Sequence, residues 1–77
     1  MPLSLVAEGQ IVCINSLPMH ADLQRRLRAM GIKPGANVEV LRRGRPGGIL
    51  HVASGMVEFM LRHEQATQIE VTPVARP

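Results

Sequence analysis

The side chains able to do chemistry in this chain are few and dispersed. Its 77 residues hold one cysteine, Cys13, three histidines, His20, His51 and His63, and five methionines. Thiolate, imidazole and carboxylate groups bind a transition metal when three or four of them converge, and no H-x-x-x-H or C-x-x-C pair occurs here. No metal site is expected, and each histidine should be an exposed or hydrogen-bonded structural group. Met19, Met30, Met56 and Met60 carry thioethers, but with Phe59 as the only aromatic residue they are expected to fill gaps in an aliphatic core. Cys13 stands between Val12 and Ile14 with no basic neighbour to lower its pKa, which predicts an inert buried thiol. The chain has no G-x-x-x-x-G-K-[ST] phosphate loop, no Ser-His-Asp set and no paired carboxylates at useful spacing. No catalytic residue, no cofactor and no enzyme activity are expected.

Charge carries a stronger signal. The net charge is +3, but Arg25, Arg26, Arg28, Lys33, Arg42, Arg43 and Arg45 face only Asp22 and Glu39 in the middle third, a local +5, while the remainder holds −2. Such a field favours acidic protein surfaces, phosphate-bearing ligands or an anionic membrane leaflet, and acts on encounter rate more than on final affinity. The expected partner contacts are Arg25, Arg26, Arg28, Arg42, Arg43 and Arg45 for steering, with Met56 or Met60 as exposed apolar anchors. Any nucleotide must be held by another protein, and Arg45 is not expected to reach it in trans as an arginine finger would. A basic small barrel that follows a phosphate backbone is the rival class, weakened by the lack of aromatic rings for stacking bases.

These side chains need a scaffold, and the length permits one. A chain of this size buries only about 60% of the surface its unfolded form exposes, so residues 1–77 should form a single domain with a tail over 73–77. The longest apolar run, Ile11-Val12-Cys13-Ile14, is far short of the roughly 20 residues that span a bilayer, and no basic-then-apolar leader is legible at the N-terminus. The expected compartment is the cytoplasm, without membrane insertion. A single cysteine closes no internal disulfide.

The local patterns predict five strands and one helix. Gln10–Leu17 is β-branched and ends at Ser16 and Pro18, the first strand. Leu23, Leu27 and Met30 recur at i, i+4 and i+7, predicting a helix over Ala21–Met30 that Gly31 terminates. Lys33-Pro34-Gly35 predicts a tight turn. Asn37–Arg43 follows as a strand with Val38 and Val40 inward, although Leu41 breaks the alternation. Gly44–Gly48 is a loop, Ile49–Ala53 a third strand, and Ser54-Gly55 a hairpin turn. Met56–Leu61 should place Val57, Phe59 and Leu61 in the core. A helical turn within Arg62–Thr67 and a strand over Gln68–Thr72 complete the pattern. A mainly β fold with one helix follows, a small five-stranded barrel whose closure removes sheet edges and whose end the helix caps.

Two blocks carry a resemblance. The first runs Arg26-Leu27-Arg28-Ala29-Met30-Gly31-Ile32-Lys33-Pro34-Gly35-Ala36-Asn37-Val38-Glu39-Val40, and the second Leu61-Arg62-His63-Glu64-Gln65-Ala66-Thr67-Gln68-Ile69-Glu70-Val71. Together, in this order and separation, they resemble the FeoA family over nearly the whole chain. The resemblance implies an SH3-like barrel in the cytoplasm that accompanies FeoB, a membrane ferrous-iron transporter with a cytoplasmic GTP-binding domain. The implied role is accessory and regulatory, modulating the transporter's nucleotide cycle or gating, with the module held peripherally at the inner membrane through its partner. The same fold forms the C-terminal domain of iron-dependent repressors, so a stand-alone interaction domain of that type is the alternative. One departure lies in Arg43-Gly44-Arg45-Pro46-Gly47-Gly48, where many relatives carry a further proline entering the next strand and this chain has Gly48.

Overall fold

A computed structural model describes residues 1–45 and 47–74. The chain order is a 3-10 turn at Leu3–Leu5, then β1 (Ile11–Ser16), α1 (Ala21–Ala29), β2 (Asn37–Arg43), β3 (Leu50–Ser54), β4 (Val57–Leu61), α2 (His63–Ala66) and β5 (Glu70–Pro73). The strands form one antiparallel sheet in the order β4-β3-β2-β1-β5. The expected mainly β class with one main helix is present, but the sheet does not close into a barrel: β4 and β5 are its two edges and are not hydrogen-bonded to each other.

The β5 edge is sealed from within the chain. Met1 and Val71 exchange two bonds, N to O at 2.9 Å and O to N at 2.8 Å, and Leu3 N–H donates to the Ile69 carbonyl at 2.8 Å. The N-terminal amine also pairs with Glu70 at 3.3 Å. This segment had no assigned element in the sequence, yet Leu3, Ser4 and Val6 are buried. Leu3 and Val6, three positions apart with Ser4 and the apolar Leu5 between them, are too short a pattern to reveal periodicity. At the other end of β5, Val74 N–H donates to Ile11 at 3.0 Å, so pairing continues past residue 73, where a tail was expected to begin. Residues 75–77 lie outside the described ones.

The helix boundaries have local causes. His20 is extended at φ −135 and its Nδ1 accepts the Leu23 N–H at 3.2 Å, the N-cap geometry that satisfies a free helix donor. At the other end Ile32 N–H donates to Leu27 at 2.9 Å and Gly31 N–H to Arg28 at 3.0 Å, a Schellman closure. Gly31 takes the left-handed φ of +87 that this closure demands. The same turn places Leu27 and Ile32 together in the core, each fully buried.

The remaining core comes from alternating strand positions, among them Val12 and Ile14 of β1, Val38 and Val40 of β2, Leu50 and Val52 of β3, Phe59 and Leu61 of β4 and Val71 of β5. Leu41, which breaks the alternation, marks a shift of register between Val40 and Arg42 against β3: an extra residue is accommodated there, and Arg42 and Arg43 beyond it are both exposed. Two expectations are corrected. The β3–β4 turn is Gly55-Met56, with Ser54 opposite Val57, and Gly55 at φ +61 supplies the positive angle of its first central position. Val57 therefore sits at the hairpin end, beyond the core, and is half exposed. The methionines do not fill the core either: Met19, Met56 and Met60 are exposed, and only Met30 packs partly against it. Branched aliphatic residues already occupy the interior, so the flexible thioethers are left at turns and on the outer sheet face.

Candidate partner-binding surface

Strand alternation that turns Phe59 and Leu61 inward turns Met60 outward, where it is 63% exposed. Three hollows open on the surface around it, with volumes of about 330, 320 and 640 Å³, and Met60 lines all of them. The first is bounded by Arg26, Ile49, Arg62 and Gln65. The second lies between Leu23 of α1, Met30 at its C-cap, and Met60 and Leu61 of β4. The third is framed by Arg42, Arg43, Ile49 and His51. The first two also share Arg26, Leu61 and Gln65, and the first and third share Ile49, so the three adjoin around Met60 as a trough lined by both apolar side chains and arginines.

Different elements hold the rim in place. Arg26 stands on α1 one residue before the buried Leu27, so the packing of that leucine fixes the helix face that carries it. Arg62 precedes α2, and its backbone N–H is captured by the Gln65 side-chain oxygen at 3.1 Å, half of a capping box. Ile49 enters from the β2–β3 hairpin, whose closure depends on glycine. Gly44 N–H donates to Ile49 at 3.0 Å and Gly48 N–H to Arg45 at 2.6 Å. A Cβ at Gly48 would lie 2.8 Å from the Arg45 carbonyl oxygen, so the residue that departs from the family pattern is one that this hairpin requires.

The expected contact residues divide among three situations. Met60 lines all three hollows, Arg26 the first two and Arg42 the third. Arg43 lines it too, but its Nη1 donates to the Val6 carbonyl at 2.6 Å and its N–H to Glu8 at 2.8 Å, so this arginine braces the N-terminal segment. Arg25 pairs with Asp22 at 3.7 Å on the exposed face of α1, a contact worth little in water. Arg28 and Arg45 are exposed and line none of the three hollows, and Met56 projects from its turn, fully exposed. Ile49, Arg62 and Gln65 belong to the surface but were not expected. They come from separate elements, and only the topology brings them beside Met60.

The side chains considered for chemistry hold structural positions. His20 caps α1, and His51 Nε2 lies 2.8 Å from a Glu58 oxygen on the neighbouring strand. Cys13 is half-buried rather than enclosed, with its Sγ 3.7 Å from the Ile14 carbonyl. Among the described residues no three His, Cys, Asp or Glu side chains gather as a metal site. No helix among them is long and apolar enough to cross a membrane.

Known proteins share this sequence pattern and this fold. The FeoA domain family model matches residues 1–73. The solution structure of the Chlorobium tepidum FeoA protein is similar at TM-score 0.90 and 28% identity, over 97% of this chain and 71% of that one. The crystal structure of Stenotrophomonas maltophilia FeoA, complexed with zinc and described as a prokaryotic SH3 domain protein, is similar at TM-score 0.79 and 30% identity, over 94% and 89%. A manganese-dependent transcriptional repressor shares the fold at TM-score 0.86 and 20% identity, over 96% of this chain and 41% of the repressor. No curated protein matches. On the family model and these shared folds, the chain belongs to the FeoA domain family, small SH3-like domains of ferrous iron transport.

Proposed function

We propose that this protein is a cytoplasmic, non-catalytic accessory module of ferrous iron uptake. It docks on the cytoplasmic part of a FeoB-type membrane transporter and biases that transporter's nucleotide cycle or its gate. The observation that carries this reading is the trough: exposed Met60 and Ile49 beside Arg26, Arg42 and Arg62, in a chain of a ferrous-iron transport family. An apolar patch within a charged rim is the make-up of a transient protein interface. The module would stay at the membrane through its partner and insert nothing into it.

A regulator shifts an equilibrium only by its difference in affinity for the two states. The module should therefore bind the transporter's cytoplasmic domain unequally in its GTP-loaded and GDP-loaded forms. Titration calorimetry with both forms measures this difference. Equal affinities would reduce the role to scaffolding, and no binding to either form or to the intact transporter would end the proposal.

A further inference from the structure

Four arginines line the trough, Arg26, Arg42, Arg43 and Arg62, and no carboxylate lines any part of it. Of these, Arg43 is committed to Val6, whereas Arg26, Arg42 and Arg62 form no ion pair among the described residues. Four of the six acidic side chains are engaged elsewhere, Asp22 with Arg25, Glu58 with His51, Glu70 with the N-terminal amine and Glu8 with the Arg43 N–H, and Glu39 and Glu64 line none of the hollows. Unpaired guanidinium groups around exposed Met60 and Ile49 present positive charge and desolvatable apolar area within one side chain's reach of each other.

We infer that the trough takes a linear acidic segment of a partner protein: one apolar side chain enters between Leu23, Met30 and Met60, and flanking Asp or Glu residues meet Arg26, Arg62 and Arg42. The complementarity is specific in both parts. Carboxylates match the planar donors of arginine in pairs, and an apolar anchor in a small hollow supplies the contact area that charge alone lacks. A second copy of this chain is a poor occupant, because its own carboxylates never come closer in sequence than six positions, as at Glu58, Glu64 and Glu70. A phosphate backbone matches the rim but has no apolar group for Met60 to cover. This inference rests on the reading of the protein as a docking module and names the chemistry of what docks.

The test titrates the full chain, labelled with ¹⁵N and with ¹³C at the methionine methyls, with a synthetic decapeptide carrying a central Leu between Asp and Glu residues. Two controls replace the Leu by Ser, or the acidic residues by Lys. The acidic Leu peptide should shift the Met60 and Met30 methyls and the Arg26 and Arg62 amides, and both controls should bind at least about tenfold more weakly. Arg26→Glu with Arg62→Glu, and separately Met60→Ser, should weaken the peptide about tenfold at an unchanged melting temperature, since all three side chains are on the surface. Equal binding of the controls, or shifts confined to other faces, would overturn the assignment. So would an oligothymidine that moves the same resonances at lower concentration, or shifts that track protein concentration without peptide. A transporter domain that binds wild type and Met60→Ser equally would remove the trough and leave the docking role, whereas a domain that binds neither would remove the docking role.

Discussion

Arg43 Nη1 donates to the carbonyl oxygen of Val6 at 2.6 Å across 37 positions of sequence. Neighbouring arginines thus do different work. Arg43 holds down the end of the turn at Leu3–Leu5, in which Leu3 and Ser4 are buried, while Arg42 offers its charge to the trough. Treating both as one basic patch would mix a loss of stability with a loss of binding.

Replacing Arg43 by Ala should cost about 1.5–3 kcal/mol, the range of a hydrogen bond to a charged group. Amide exchange should rise at Leu3 and Val6, whose N–H groups donate to Ile69 and Leu3. Replacing Arg42 by Glu should leave the urea midpoint within about 0.5 kcal/mol of wild type. It should slow association with the transporter's cytoplasmic domain and flatten its salt dependence. Urea unfolding and stopped-flow binding on the two variants separate the effects.

His20→Ala removes the acceptor that Leu23 N–H uses at 3.2 Å. A stability loss of about 1 kcal/mol is expected, with most of it restored in His20→Asn, whose shorter side chain also caps. Denaturation midpoints of the pair would show this, and equal loss in both would mean that the imidazole contributes by packing.

Leu27→Ala should cost about 2–5 kcal/mol, because Leu27 is fully buried and meets Ile32 through the helix closure. A core this small supplies only about 3–5 kcal/mol, so the variant should be largely unfolded at room temperature. An unchanged melting temperature would contradict the packing of α1.

Gly48→Ala tests the β2–β3 hairpin. The added methyl would stand 2.8 Å from a backbone oxygen, which a rotamer change cannot relieve. Destabilisation by about 1–3 kcal/mol is expected. The Ile49 and Met60 resonances should move with it, because the same hairpin sets the trough wall.

How much of this was legible beforehand follows from the range of each cause. The strand Asn37–Arg43 was read with the limits the structure has, and α1 was read one residue long, because turn chemistry at Gly31 and Gly35 and apolar spacing are local. Even the irregularity at Leu41 was visible, although its meaning as a register shift needed the partner strand. The seal made by Met1 to Leu3 was not legible, since its reason is an unpaired edge at the far end of the chain. Nor were the exposed methionines: residue type alone does not say whether an interior is already full. Of the trough, Arg26, Arg42 and Met60 were identified by charge and thioether chemistry. Ile49 and Arg62 joined them only through the β3–β4 pairing, in which Leu50 faces Leu61 and His51 faces Met60.

The N-terminal seal also sets a limit on self-association. Among the described residues the far side of β4 has no backbone partner, while that of β5 is already taken by Met1 and Leu3. Growth into a filament needs two margins that can accept a neighbour, one at each flank of the repeating unit. A domain with a single vacant margin can join one other copy edge to edge, and growth by strand addition stops at a pair.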